Sequence, residues 1–163
     1  MSRASNAVKQ WTREKPEAEL LPMETIGLLS EAFTLIVRGR IERLFAQHKL
    51  KSGEFDVLAT LRRAGAPFTL TPTQLYDTLM ISSGGMTNRL DRLEKAGYLR
   101  REPNPEDRRG TLVALTDVGL ALIEHLFDLH LANEQQALTA LSEDEQRQLA
   151  GLLHKLVEAQ GNE

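Results

Sequence analysis

The stretch "MTNRLDRLEKAGYLRREPNPEDRRG", residues 86–110, decides how the chain is read. Its opening residues set Met86, Leu90 and Leu93 on one helical stripe and leave Asn88, Arg89 and Arg92 on the polar side. Gly97 then supplies a left-handed stop. "YLRREPN" and "GTLVALT" are β-prone and flank the turn-forming "PEDRR", which predicts a hairpin with Arg108 and Arg109 at its tip. The stretch carries seven basic residues in a chain of net charge -3. A solvated, mixed-charge surface is the simpler reading of those arginines. The order of elements decides against it.

Upstream, "TPTQ" is a helix start. Thr71 can cap, Pro72 suits the first helical position and Gln74 completes a capping box. That helix is brief, residues 72–79, and Ser82 or Ser83 is expected to cap the next one. Two short helices joined by a tight turn, with a hairpin after them, make a winged helix-turn-helix plan. A major groove admits such a second helix. An arginine-tipped hairpin can reach the neighbouring minor groove. Ser82, Ser83 and Thr87 at the helix start, with Thr73 on the preceding helix, can hold phosphates. Asn88, Arg92, Arg108 and Arg109 complete the expected DNA contacts, and Asp107 is expected to ion-pair with one of the wing arginines.

Helices flank this unit on both sides. Residues 23–48 place Ile26, Leu29, Phe33, Ile36 or Val37, Ile41 and Leu44 at helical spacing, predicting one long amphipathic helix. Ser52 is the expected cap of a shorter helix through Phe55 and Leu58. Thr116 starts a long helix, and Ser142 with Glu145 forms a capping box for the last. A short helix is expected around Trp11. The fold class is therefore mainly α: one domain over 1–163, a winged-helix lobe at 52–116, and helical segments at 1–48 and 117–163. Those end helices carry more apolar residues than one small lobe needs, which predicts a homodimer.

Composition narrows the alternatives. The length of 163 residues suits one domain. The absence of cysteine excludes disulfides, thiolate chemistry and Cys-based zinc sites, and it fits a cytoplasmic protein. Neither a membrane span nor a signal peptide is indicated. Residues 82–110 hold seven basic and five acidic groups, whereas 117–163 hold two basic and nine acidic ones, so middle and end have different tasks. His125 and His130 are five apart and do not share a helix face, so no metal site and no cofactor are expected. "SSGG" at 82–85 lacks the lysine and strand of a phosphate loop, and no hydrolase or metalloprotease motif appears, so an enzyme is not expected.

The segment "MTNRLDRLEKAGYLRREPNPEDRRGTLVALTDVG" resembles the recognition helix and wing of the MarR family of bacterial transcriptional regulators, and the likeness runs over residues 23–156. The resemblance implies a homodimer built from the first and last helices, a pseudo-palindromic double-stranded DNA operator, and a small ligand that weakens binding. "QWTREKP" and "METIGLLSEAF" further resemble the urate-responsive branch, which carries an extra N-terminal helix. That resemblance implies a ligand site at Trp11, Asp56, Arg89 and Arg101, for urate or another small anionic aromatic. Arginine suits such an anion and tryptophan offers a flat face. Asp56 is expected to hold Arg89 in the free protein. The competing readings are Trp11 as a hydrophobic staple, Arg89 and Arg101 as phosphate contacts, a phenolic or other aromatic acid as ligand, and a DNA-binding protein with no ligand.

Overall fold

The computed structural model describes residues 2–51, 53–79, 85–107 and 109–161. Helix α1 (Arg3–Glu14) is followed by α2 (Leu21–Phe33), a π-helical segment (Thr34–Ile41) and α3 (Glu42–Gln47), which run on as one rod. The expected single α-helix over 23–48 is thus continuous but changes its winding midway. The apolar stripe could be read through Ile36 or Val37, and that ambiguity falls inside the π-helical segment. Next come α4 (Glu54–Arg63), strand β1 (Thr69–Leu70), α5 (Pro72–Thr78), α6 (Met86–Lys95), β2 (Leu99–Pro103), β3 (Thr111–Leu115), α7 (Asp117–Ala137) and α8 (Glu143–Gln160).

The hairpin β2–β3 forms as expected, with Arg101 opposite Val113 and Leu99 opposite Leu115. The short strand β1 was not anticipated; it pairs with β3 and makes the sheet order β1-β3-β2. The capping boxes at Thr71/Gln74 and Ser142/Glu145 are both present. Ser52 lies outside the described residues, and Gly53, in the left-handed conformation, occupies the N-cap of α4.

The core belongs to the lobe. Val57, Leu58 and Leu61 of α4 are fully buried with Leu75, Leu93, Val113, Ile123 and Leu126. Phe45 of α3 stacks on Phe55 at 4.4 Å between centroids. This joins the rod to the lobe. Gly119 brings α7 against the base of the wing: a Cβ there would lie 1.8 Å from the Tyr98 carbonyl oxygen, so only glycine fits.

The chain ends are different. No residue of α1, α2 or α8 is buried. Leu21, Ile26, Leu152 and Val157 are 60–72% exposed, and Phe33, Phe127, Leu149 and Leu156 are exposed with them. Apolar stripes of this size are normally covered.

Helix α1 is nonetheless tied down. The Arg3 and Ala4 backbone N–H groups donate to the two Glu31 carboxylate oxygens, each at 3.1 Å, and the Ser5 hydroxyl donates to Glu24 at 2.9 Å. The helices cross so closely that a Cβ on Gly27 would lie 2.8 Å from the Ala4 Cβ. The bonds from Arg3 and then Ala4 hold the Glu31 carboxyl below its ordinary pKa of 4.5. A depressed carboxylate pKa stabilises the fold above the unfolded value and loses that effect as pH falls through the folded one. Trp11, the single tryptophan, reports on α1. Acidification from pH 6 to below about 4 is expected to release α1 and shift Trp11 emission. Glu31→Gln is expected to show most of that shift already at pH 7. Identical emission in both proteins at pH 7 would mean that Glu31 does not hold the helix.

Candidate nucleic-acid interface

Helices α5 and α6 form the helix-turn-helix, and β2–β3 form the wing. Met86, Leu90 and Leu93 turn inward from α6 and are buried. Thr87, Asn88, Asp91 and Arg92 are exposed on its other side, and Arg89 is half-buried. Thr73 is exposed on α5. Helix α6 ends as expected: Gly97 has φ of 77°, and the Gly97 and Tyr98 N–H groups donate to the Glu94 and Leu93 carbonyls at 2.9 and 3.0 Å.

The start of α6 differs from expectation. Its N-cap is Gly85, in the left-handed region at φ of 78°, and the first helical residue is Met86. Ser82 and Ser83, expected to cap it, lie outside the described residues. A left-handed turn needs a residue without Cβ more than it needs a capping hydroxyl. Thr87 and Asn88 therefore stand in the first turn, where exposed side chains and backbone N–H groups can meet a phosphate together.

Two ion-pair brackets fix this reading unit, and neither was read from the sequence. Glu54 at the start of α4 is 2% exposed. Its carboxylate accepts the Lys51 backbone N–H and the Arg92 Nε–H, both at 2.6 Å. Arg92, expected as a DNA contact, thus also anchors α6 to α4. The second bracket centres on Arg101 of β2. Its Nη2 donates to Asp91 at 2.7 Å and its Nη1 to Glu94 at 2.5 Å, while its backbone N–H donates to Glu94 at 3.0 Å. The Asp91 hydrogen bond, opposed by burial and helped by Glu94, raises the Arg101 pKa above its ordinary value. The wing base is locked to the recognition helix. Only Glu54 offered a signal in sequence, as an acid in the first turn of a helix, and that position is favourable without any partner.

At the wing tip, Asp107 orders the turn through the backbone. Its carboxylate accepts the Arg109 N–H at 3.0 Å, and its carbonyl accepts the Gly110 N–H at 2.8 Å. Among the described residues Asp107 thus makes a hydrogen bond to the Arg109 main chain in place of the side-chain ion pair expected there. The Arg109 side chain is exposed. Arg108 lies outside the described residues.

Of the four residues expected to hold a ligand, three stand on packed elements of the lobe: Asp56 on α4, Arg89 on α6 and Arg101 on β2. Asp56 lies 3.9 Å from the Arg63 guanidinium, which also donates to the Thr78 carbonyl at 2.5 Å. Trp11 is 46% exposed on α1, which packs against α2. No helix is long and apolar enough to cross a membrane, and no group of metal-ligating side chains occurs, both among the described residues.

Removing the Glu54 carboxylate leaves the Lys51 N–H and the Arg92 guanidinium without their acceptor. Glu54→Ala is expected to destabilise the protein by about 1–3 kcal/mol in urea denaturation, with Glu54→Gln between it and wild type. A loss below about 0.5 kcal/mol for the alanine variant would deny the bracket a role.

Comparison with known proteins agrees with this geometry. The MarR family model matches residues 48–110, from the end of the rod to the wing. The chain is 45% identical to the HTH-type transcriptional regulator PecS of Dickeya dadantii over 152 residues, 93% of this chain and 91% of that one. A MarR mutant from Escherichia coli, solved in complex with operator DNA, is 28% identical with a TM-score of 0.64, covering 90% of this chain and 96% of the other. BpsR of Bordetella bronchiseptica, whose structure concerns regulation of DNA binding by 6-hydroxynicotinic acid, is 26% identical with a TM-score of 0.70, covering 80% and 90%. A helix-turn-helix braced to its wing, in a chain this similar to PecS, identifies the protein as a member of the MarR family of DNA-binding transcriptional regulators.

Proposed function

We propose that this regulator works in the cytoplasm as a homodimeric repressor that grips a pseudo-palindromic operator and lets go on binding a small anionic aromatic ligand, urate or another purine first. The observation that carries the dimer is the uncovered apolar face of α2, α7 and α8. A two-fold arrangement of those helices would cover it and set two recognition helices about one DNA turn apart, ~34–36 Å. In each copy α6 would enter the major groove, with Thr87, Asn88 and Arg92 toward the bases and phosphates, Thr73, Ser82 and Ser83 on the backbone, and Arg108 and Arg109 at the minor groove. The acidic segment 117–163 would then face away from the DNA.

A helix at Arg3–Glu14 carrying Trp11, ahead of the long rod, supports the urate reading. The Arg101 bracket supplies a mechanism. A ligand anion competing with Asp91 and Glu94 for Arg101 would loosen the wing base from α6. Asp56 and Arg89 would sense the same charge from α4 and α6, and Trp11 would give a flat face. Ligand and DNA would then favour different states of one element, which is a reciprocal coupling. The likeness to BpsR favours a second reading, an aromatic acid in place of a purine.

Arg109→Ala is expected to weaken operator binding and lower the slope of log affinity against log salt by about one. An unchanged slope in a salt titration would remove Arg109 from the contacts. Trp11→Ala is expected to keep operator binding but to need several-fold more urate for release in a gel-shift titration. Equal release of variant and wild type would take Trp11 out of the ligand site. Release by 6-hydroxynicotinate but not urate would move the second reading ahead.

A further inference from the structure

Helix α5 is seven residues long, and Leu75 alone of them is buried. The Thr71/Gln74 box closes its start, but its end has no local closure. Leu79 leaves the helix in extended conformation, at φ of -66° and ψ of 142°, and among the described residues no backbone N–H caps that end. Helix α6, by contrast, stops on the left-handed Gly97 with main-chain bonds. The last carbonyls of a helix need donors from elsewhere when the chain supplies none.

The donor comes from α4. Arg63 Nη2 donates to the carbonyl of Thr78, the last residue of α5, at 2.5 Å. Arg63 Nη1 lies 3.9 Å from Asp56 Oδ1 on its own helix. A cation at a helix C-terminus meets both the orphan carbonyls and the negative end of the dipole. A planar guanidinium fork can serve a carbonyl and a carboxylate together.

Arg63 is thus to α5 what Glu54 is to α6. Helix α4 begins with Glu54 and ends with Arg63, ten residues and ~15 Å along its axis. Glu54 at the first residue holds Arg92 of α6, and Arg63 at the last holds Thr78 of α5. The segment joining α5 to α6 lies in sequence between the two anchored points. One short helix therefore holds both arms of the helix-turn-helix. The acid stands at its N-terminus and the base at its C-terminus, the placement that its own dipole favours.

We propose that Arg63 is a positioning residue for operator recognition: it caps α5 from α4 and so sets the angle at which α6 is presented to the groove. It touches neither base nor phosphate. Phosphate contacts are indifferent to sequence, whereas base contacts need the recognition helix in the right attitude. Loss of the cap therefore costs operator affinity and spares non-specific binding. This role is independent of any effector.

The test uses the full-length protein and two duplexes: an operator selected by the wild-type chain from a random DNA library, and a scrambled duplex of the same length and composition. Arg63→Met keeps much of the stem and removes the donors. It is expected to weaken operator binding about tenfold, to leave affinity for the scrambled duplex as in wild type, and to leave the slope of log affinity against log salt unchanged. Arg63→Lys can still donate to the Thr78 carbonyl and is expected to recover most of the operator affinity. A slope lowered by about one in Arg63→Met would make Arg63 a phosphate contact and overturn the proposal. Equal losses on both duplexes, unchanged operator affinity in Arg63→Met, or a lysine variant no better than the methionine one would each overturn it as well.

Discussion

The constraint on which this molecule depends is that α2, α7 and α8 carry apolar stripes that nothing among the described residues covers. The lobe is self-sufficient: α4, α5, α6, the sheet and the first half of α7 bury a continuous set of leucines and valines. Helices α1, α2 and α8 bury no residue, yet α2 and α8 carry regular apolar stripes. Water contact with that many leucine and phenylalanine side chains is costly at about 25 cal/mol per Å². In the proposed dimer a matching face on a second copy would meet the requirement at once, because the same stripes would face each other across a two-fold axis.

In the proposed dimer the brackets in the lobe would have a purpose. If two recognition helices must fit two half-sites, each must keep a fixed attitude to its own rod. Glu54 ties α6 to the first turn of α4, and Phe45 stacked on Phe55 ties α4 to the rod. Arg101 ties the wing to α6 through two carboxylates. The wing, the recognition helix and the rod are therefore joined by a few side chains. A change at any of them would alter how the DNA-facing elements are held. The proposed meeting of ligand and DNA at Arg101 rests on the same feature, since of the three links it alone has two partly exposed carboxylates as partners.

Much of this was legible in the sequence where the cause is local. Thr71 with Gln74, Ser142 with Glu145, and the Gly97 stop each depend on residues within a turn, and each forms as read. The hairpin follows from two β-prone runs around a turn. What escaped depends on distance along the chain. Glu54 and Arg92 are 38 residues apart, and nothing in either neighbourhood announces the other. Strand β1 is two residues long and exists because β3 has a free edge beside it. Gly85 takes the N-cap of α6 because the turn is left-handed, a backbone demand that the adjacent serines obscured. The π-helical segment leaves only an ambiguous stripe at Ile36 and Val37.

The most direct measurement is sedimentation equilibrium of the wild-type chain and of Leu152→Asp with Leu156→Asp on α8, at micromolar concentration without DNA. The account predicts twice the chain mass of 18.3 kDa for wild type and a shift toward the single-chain mass for the double variant, with the lobe still folded by circular dichroism. A wild-type mass of one chain at these concentrations, or a double variant that remains fully dimeric, would contradict it.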